Sequence, residues 1–159
     1  MKLVRSMSLK VEDVMVEDVI SVSEKATVRK AAELMSKHEI GCMVVVKKGK
    51  PIGIVTETDM VKRVILKPVD PEKTKVGEIM SKPLVVVNPQ MDVDEASKLM
   101  RRQKIKKLPV VKKGRLVGLV TTTDLVRSPE VIKMMIRAIK RNLIKEIIMS
   151  IQEKLELEK

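Results

Sequence analysis

Apolar and polar positions along this chain follow a pattern that is written twice. A short apolar run at residues 20–22 predicts a strand, and Val28, Ala31, Ala32, Leu34 and Met35 then recur at helical spacing. Residues 43–46 are apolar throughout, as a strand buried on both faces requires. Lys47-Lys48-Gly49-Lys50 reads as a turn, with glycine where positive φ costs least. Residues 52–55 return as a partner strand and run into Thr56-Glu57-Thr58-Asp59, which opens a second helix. The second copy predicts the same series: a strand at 85–87, a helix carrying Val93, Ala96, Leu99 and Met100, a strand at 108–111, a turn at Gly114, and a strand at 117–120 that enters Thr121-Thr122-Thr123-Asp124. Asp92-Val93-Asp94-Glu95 has the form of a capping box for the helix it precedes.

At a constant offset of 65, about 19 of the 53 positions in residues 11–63 are identical in 76–128. Two copies are too few for a solenoid and suggest a pseudo-twofold pair. The expectation is an α/β protein of two β-α-β-β-α repeats, residues 10–66 and 76–128, joined by a linker at 67–75 that Pro68 and Pro71 mark.

Residues 129–158 have no counterpart in the first half. Ile132, Ile136, Ile139, Leu143, Ile147, Ile151 and Leu155 recur every three or four residues, with Lys133, Lys140, Lys145 and Glu153 between them. This predicts one long amphipathic helix. Burial of such side chains is worth about 1.5–3 kcal/mol each, so the stripe calls for a covering surface. Its own domain or its twin in a dimer would serve. A membrane surface fits less well, because the polar face mixes acid with base.

The Thr-x-x-Asp step is where chemistry could sit. A strand that feeds a helix start presents free N–H groups and a partial positive charge, a natural place for an anion. The same four residues also make a plain helix cap. Both copies carry glycine three positions earlier, Gly53 and Gly118, which permits close approach by a ligand or another backbone.

Composition narrows the function classes. A hydrophobic share of 44% predicts a globular chain, and no apolar run approaches the ~20 residues of a membrane span. The first ten residues lack the apolar centre of a signal peptide, so a cytosolic protein is expected. One cysteine, Cys42, and one histidine, His38, exclude an intramolecular disulfide and a cysteine- or histidine-rich metal cluster. Cys42 reads as a small buried residue at a strand start, and His38 as an exposed helix end favoured by the dipole. No nucleophile–base pair and no phosphate-cradling glycine loop is present, so catalysis is not expected. The chain has no Phe, Tyr or Trp, the rings on which single-strand binders stack bases. Abundant Lys, Glu and Ile are compatible with a thermophilic source.

The net charge is +12, concentrated in the second repeat around Arg101, Arg102, Lys104, Lys106 and Lys107. A solvated helix end and a phosphate pocket are both consistent with that cluster. Nonspecific nucleic-acid binding is the weaker reading, for want of aromatic residues and of a helix-turn-helix.

The repeat order, the Gly-x-x-Thr-x-x-Asp closure in both copies and Ile105-Lys106-Lys107-Leu108-Pro109-Val110 together resemble the cystathionine-β-synthase (CBS) domain pair, over about residues 10–128. The resemblance implies a regulatory module that binds AMP, ADP, ATP or, less favoured here, S-adenosylmethionine in two clefts between the repeats. It implies that Asp59 and Asp124 accept hydrogen bonds from ribose hydroxyls, and that Thr56 and Thr121 hold phosphate. Lys106 and Lys107 occupy the place where relatives contact phosphate with His or Arg, so point charges replace a guanidinium fork. It also sets Ile40, Gly41 and Cys42 beside Asp124, and Ile105 beside Asp59. With no aromatic residue, adenine would rest on aliphatic side chains. The implied partners are a second copy of the chain and, through the tail helix, a client protein. A partner-binding module with vestigial clefts is the alternative.

Overall fold

The computed structural model describes residues 8–157, and Glu158, the last residue expected in the tail helix, lies outside them, as do the first seven. A single 3-10 turn, Val11–Asp13, leads the first repeat. β1 (Ser21–Ser23) is followed by α1 (Val28–His38), whose N-cap Thr27 accepts from Lys30 N and whose apolar face buries Val28, Ala31 and Met35. β2 (Cys42–Lys47) and β3 (Lys50–Thr56) form a hairpin whose turn residues, Lys48 and Gly49, both have positive φ. That pairing of angles suits a two-residue hairpin turn, as the glycine predicts. α2 (Glu57–Met60) continues through a π-helical turn at Val61–Ile65.

The second repeat follows with α3 (Val76–Ile79), α4 (Val93–Gln103), β4 (Lys107–Lys112), β5 (Arg115–Thr121) and α5 (Thr122–Arg127). β1 pairs parallel with β2, and β2 antiparallel with β3; β4 pairs antiparallel with β5.

Two sequence expectations are corrected here. Residues 85–87 do not form a strand; Val87 alone makes a parallel bridge to Val110. Val87 N donates to Pro109 O at 3.0 Å and Val111 N donates to Val87 O at 2.8 Å, and the ladder stops there. In the first repeat Glu24 N extends the ladder by donating to Val46 O at 3.0 Å. The equivalent of Glu24 is Pro89 and the equivalent of Val44 is Pro109, so donors are missing on both sides of the bridge. The second correction concerns Asp92. It is the N-cap of α4 but makes no side-chain cap bond; its carboxylate accepts instead from Lys10 Nζ at 2.7 Å.

The packing units cross the sequence repeats. Val11, from the lead of the first repeat, is fully buried in the core of the second with Val93, Ala96, Leu108 and Val120. Val76 and Ile79, from the lead of the second, are buried in the core of the first with Val22, Ala31, Met43 and Val55. Val16 bridges Leu119 and Ser81 bridges Ile54, so each lead adds a short edge to the other repeat's hairpin. Gly53 and Gly118 serve this crossing and not a ligand. A Cβ on Gly53 would stand 2.5 Å from Met80 Sδ, and one on Gly118 would overlap Met15 Sδ.

α6 (Pro129–Leu157) starts one residue after α5 and runs for 29 residues. Val131 is buried in the second repeat, but Ile136, Ile139, Leu143, Ile147, Ile151 and Leu155 are exposed. The stripe therefore does not pack on its own domain. No helix among the described residues is long and apolar enough to cross a membrane.

Candidate functional site

Both Thr-x-x-Asp steps fold as reciprocal capping boxes. Thr56 N and Thr56 Oγ1 donate to Asp59 Oδ2 at 2.9 and 3.0 Å, and Asp59 N donates back to Thr56 Oγ1 at 3.2 Å. Thr121 and Asp124 repeat this at 2.9, 2.7 and 3.1 Å. Glu57 N donates to Gly41 O and Thr122 N to Lys106 O, each at 3.0 Å. The threonine hydroxyl protons and these first-turn N–H groups are thus already committed. Thr56 and Thr121, which the resemblance assigns to phosphate, thus spend their hydroxyl protons on the neighbouring aspartates.

Among the clefts that open where the repeats meet, two contain the Thr-x-x-Asp steps. One, of about 380 Å3, brings Thr121 and Asp124 together with Ile40, Gly41 and Cys42 of the first repeat. Val16, Val19, Ile20, Ile40 and Leu119 give it an aliphatic wall, and Lys106 and Lys107 also line it. The other, of about 600 Å3, brings Thr56 and Asp59 together with Ile105, Lys104, Lys106 and Lys107 of the second repeat. Lys106, Lys107 and Gly41 line both clefts. Every residue singled out for a ligand therefore reaches one cleft or the other, in the crossed arrangement that the resemblance implies.

The clefts differ at the aspartate. Asp59 is buried, and its second oxygen, Oδ1, accepts from Ser81 Oγ at 3.1 Å and lies 3.4 Å from Arg63 Nη1. That guanidinium also donates to Ile79 O at 2.6 Å, which anchors it over the carboxylate. Asp124 is only half-buried, and its Oδ1 has no hydrogen-bond partner among the described residues. Offsetting by 65 explains this: Ser81 corresponds to Val16, and Arg63 to Ser128. The sequence reading missed Ser81, Arg63 and the Val16–Val19–Ile20 wall. The signal available for the first two was a residue-by-residue comparison of the copies outside the motif.

Cys42 is buried at the start of β2. Burial pushes its thiol above the ordinary value of 9.0; Lys107 opposes the rise, while Asp124 and Glu57 add to it. The thiol is therefore neutral at physiological pH and acts as part of the cleft wall. His38, as expected, ends α1 exposed.

A profile of the CBS domain matches residues 11–66 and again 76–131. The chain belongs to the CBS domain family and carries that domain twice. The CBS domain-containing protein YhcV of Bacillus subtilis is 39% identical over 115 residues, 72% of this chain and 81% of YhcV. Uncharacterized protein MK0525 of Methanopyrus kandleri is 39% identical over 122 residues, 76% of this chain and 62% of that protein. Among solved structures, the CBS domain pair of protein MJ0100, in complex with 5'-methylthioadenosine and S-adenosyl-L-methionine, aligns with a TM-score of 0.67 at 28% identity. That alignment covers 76% of this chain and 94% of the other.

Proposed function

We propose that this chain is a non-catalytic, cytosolic regulatory module that senses an adenosine ligand bearing phosphate (AMP, ADP or ATP) in the cleft at Asp124, and that it works as a homodimer. The observation that carries this reading is Asp124 Oδ1, an acceptor without a partner among the described residues, facing a cleft with an aliphatic wall. A carboxylate oxygen of that kind suits a cis-diol, which offers donors at hydroxyl spacing. The aliphatic wall suits a flat apolar base, and Lys106 and Lys107 supply positive charge for phosphate. S-adenosylmethionine, itself cationic beside those lysines, is the less favoured ligand. At Asp59 the corresponding oxygen is held by Ser81 and Arg63, so a ligand there must first displace them.

The cleft is built from both repeats, so a ligand that fills it favours one relative orientation of the two. The route outward is short. Asp124 O accepts from Ser128 N at 2.9 Å, and Ser128 O accepts from Ile132 N at 3.0 Å, which ties the cleft's cap to the first turn of α6. A shift at Asp124 therefore redirects the tail helix and whatever it contacts, a client protein included.

Calorimetry with AMP, ATP and S-adenosylmethionine tests the reading. Binding of AMP or ATP at one dominant site, weakened at least tenfold by Asp124→Asn, is the expected result. The amide keeps a cap acceptor and replaces the second acceptor with a donor, so the loss reports the diol contact and not the helix. No binding of any of the three ligands overturns it and favours a partner-binding module with vestigial clefts, the reading to which the fully engaged Asp59 lends support.

A further inference from the structure

We propose that the cleft between the two hairpin turns binds a linear oligophosphate, at a site separate from both Thr-x-x-Asp clefts. The turns at Lys48-Gly49 and Lys113-Gly114 are far apart in the chain, yet they line one cleft of about 720 Å3 where the repeats meet. Lys48 and Lys50 come from one turn, and Lys113 and Arg115 from the other. Ser21, at the start of β1, adds a hydroxyl.

Charge sets this cleft apart from the other two. Four cations line it, and no carboxylate does so among the described residues. Glu57 and Asp59 line the Thr56 cleft, and Asp18 and Asp124 the Thr121 cleft, so lysines there share the space with negative charge. Lys47, beside the first turn, has its own partner, with Nζ 3.3 Å from Glu24 Oε1. Lys48, Lys50, Lys113 and Arg115 make no ion pair among the described residues. Like charges gathered on a concave surface raise the local potential, and a polyvalent anion relieves it.

The arrangement of the cations selects the ligand. Each turn brings two, related by the offset of 65: Lys48 corresponds to Lys113 and Lys50 to Arg115. A linear di- or triphosphate carries like charge at both ends, so each end meets an equivalent pair. The lysines supply point charges, Arg115 a fork that fits two phosphate oxygens, and Ser21 a further donor. A nucleic-acid strand fits less well. Its charge extends along a line, and the chain has no aromatic ring on which to stack a base. Because both repeats contribute, the bound anion holds them together and raises the unfolding temperature.

Calorimetry with sodium tripolyphosphate on the full chain, at physiological salt, tests the site. One tripolyphosphate per chain is expected, weakened about tenfold or more by Lys50→Gln with Arg115→Gln. Lys48→Gln with Lys113→Gln should give a similar loss, so the result does not hang on one variant. All four side chains are exposed, and the urea midpoint of the ligand-free protein should not move. Asp124→Asn, and Lys106→Gln with Lys107→Gln, alter the other clefts and should change tripolyphosphate binding little. ATP carries the same group on a nucleoside. In the Asp124→Asn chain, the part of its affinity that the turn substitutions remove shows whether a nucleotide-borne triphosphate is accepted as well as the free anion. No binding of tripolyphosphate overturns the proposal. Binding that falls with Lys106→Gln and Lys107→Gln but not with the turn pairs also overturns it, since the anion then sits in a Thr-x-x-Asp cleft. So does an equal loss from Lys140→Gln with Arg141→Gln on α6, which marks diffuse attraction to a basic chain. Single-stranded RNA bound more tightly than tripolyphosphate through the same four residues would make the surface a nucleic-acid site and overturn it as well.

Discussion

At the scale of single residues, Asp59 and Asp124 occupy the same place in two copies of one motif yet stand in different states. Each closes a helix cap with one oxygen; among the described residues only Asp59 has its other oxygen engaged. Asp59→Ala should therefore act on stability. It removes a cap worth about 1 kcal/mol and leaves the Ser81 hydroxyl and the Arg63 guanidinium without their acceptor, so a lower urea midpoint with little loss of nucleotide affinity is expected. Cys42 offers a pH test. Its thiol titrates above 9.0 in the folded chain, so the stability gained by keeping it neutral is fully present below its unfolded pKa and is lost as pH rises through the folded value. Alkylation by iodoacetamide should be slow at neutral pH, accelerate only in alkali, and slow further when a ligand fills the Asp124 cleft.

At the scale of elements, glycine and proline separate the copies from their shared pattern. Gly53→Ala or Gly118→Ala drives a methyl into Met80 or Met15, where a backbone carbonyl also lies close. Overpacking of this kind costs about 1–3 kcal/mol, to be read from the denaturation midpoint. The strand expected at residues 85–87 is cut short by Pro89 and Pro109, neither of which has an N–H. Pro109→Val should restore a ladder donor, and the new amide at position 109 should exchange slowly with deuterium. The helices and hairpins were readable because period and turn chemistry act within a few residues. Val87 lost its neighbours' bonds because ladder donors come from a strand more than twenty residues away.

At the scale of the molecule, the crossed leads make two repeats into one folding unit. Val11 belongs to the second core and Val76 to the first, so neither repeat has a complete core alone. Urea unfolding of the full chain should be a single transition. A fragment of residues 67–159, cut at the sequence boundary, should fail to unfold cooperatively because it lacks Val11. The Lys10–Asp92 pair reinforces the same crossing. Lys10 holds the Asp92 carboxyl below its ordinary 3.8, so this contribution is present at neutral pH and is lost as pH falls through the lowered value.

The sequence by itself determined what local chemistry can write. It gave the doubled hairpins through Gly49 and Gly114, the helix caps at Thr56 and Thr121, and a stripe on α6 whose residues call for a partner. Those features depend on neighbours within one or two turns of chain, where spacing alone carries the information. Tertiary structure decided what depends on which groups meet across the fold. It swapped the leads, took Asp92 from its cap to Lys10, spent Gly53 and Gly118 on methionine, and placed Ser81 and Arg63 on one aspartate while leaving the other open. Hydrogen-bond capacity is finite, and which partner takes it is settled only when the chain is packed.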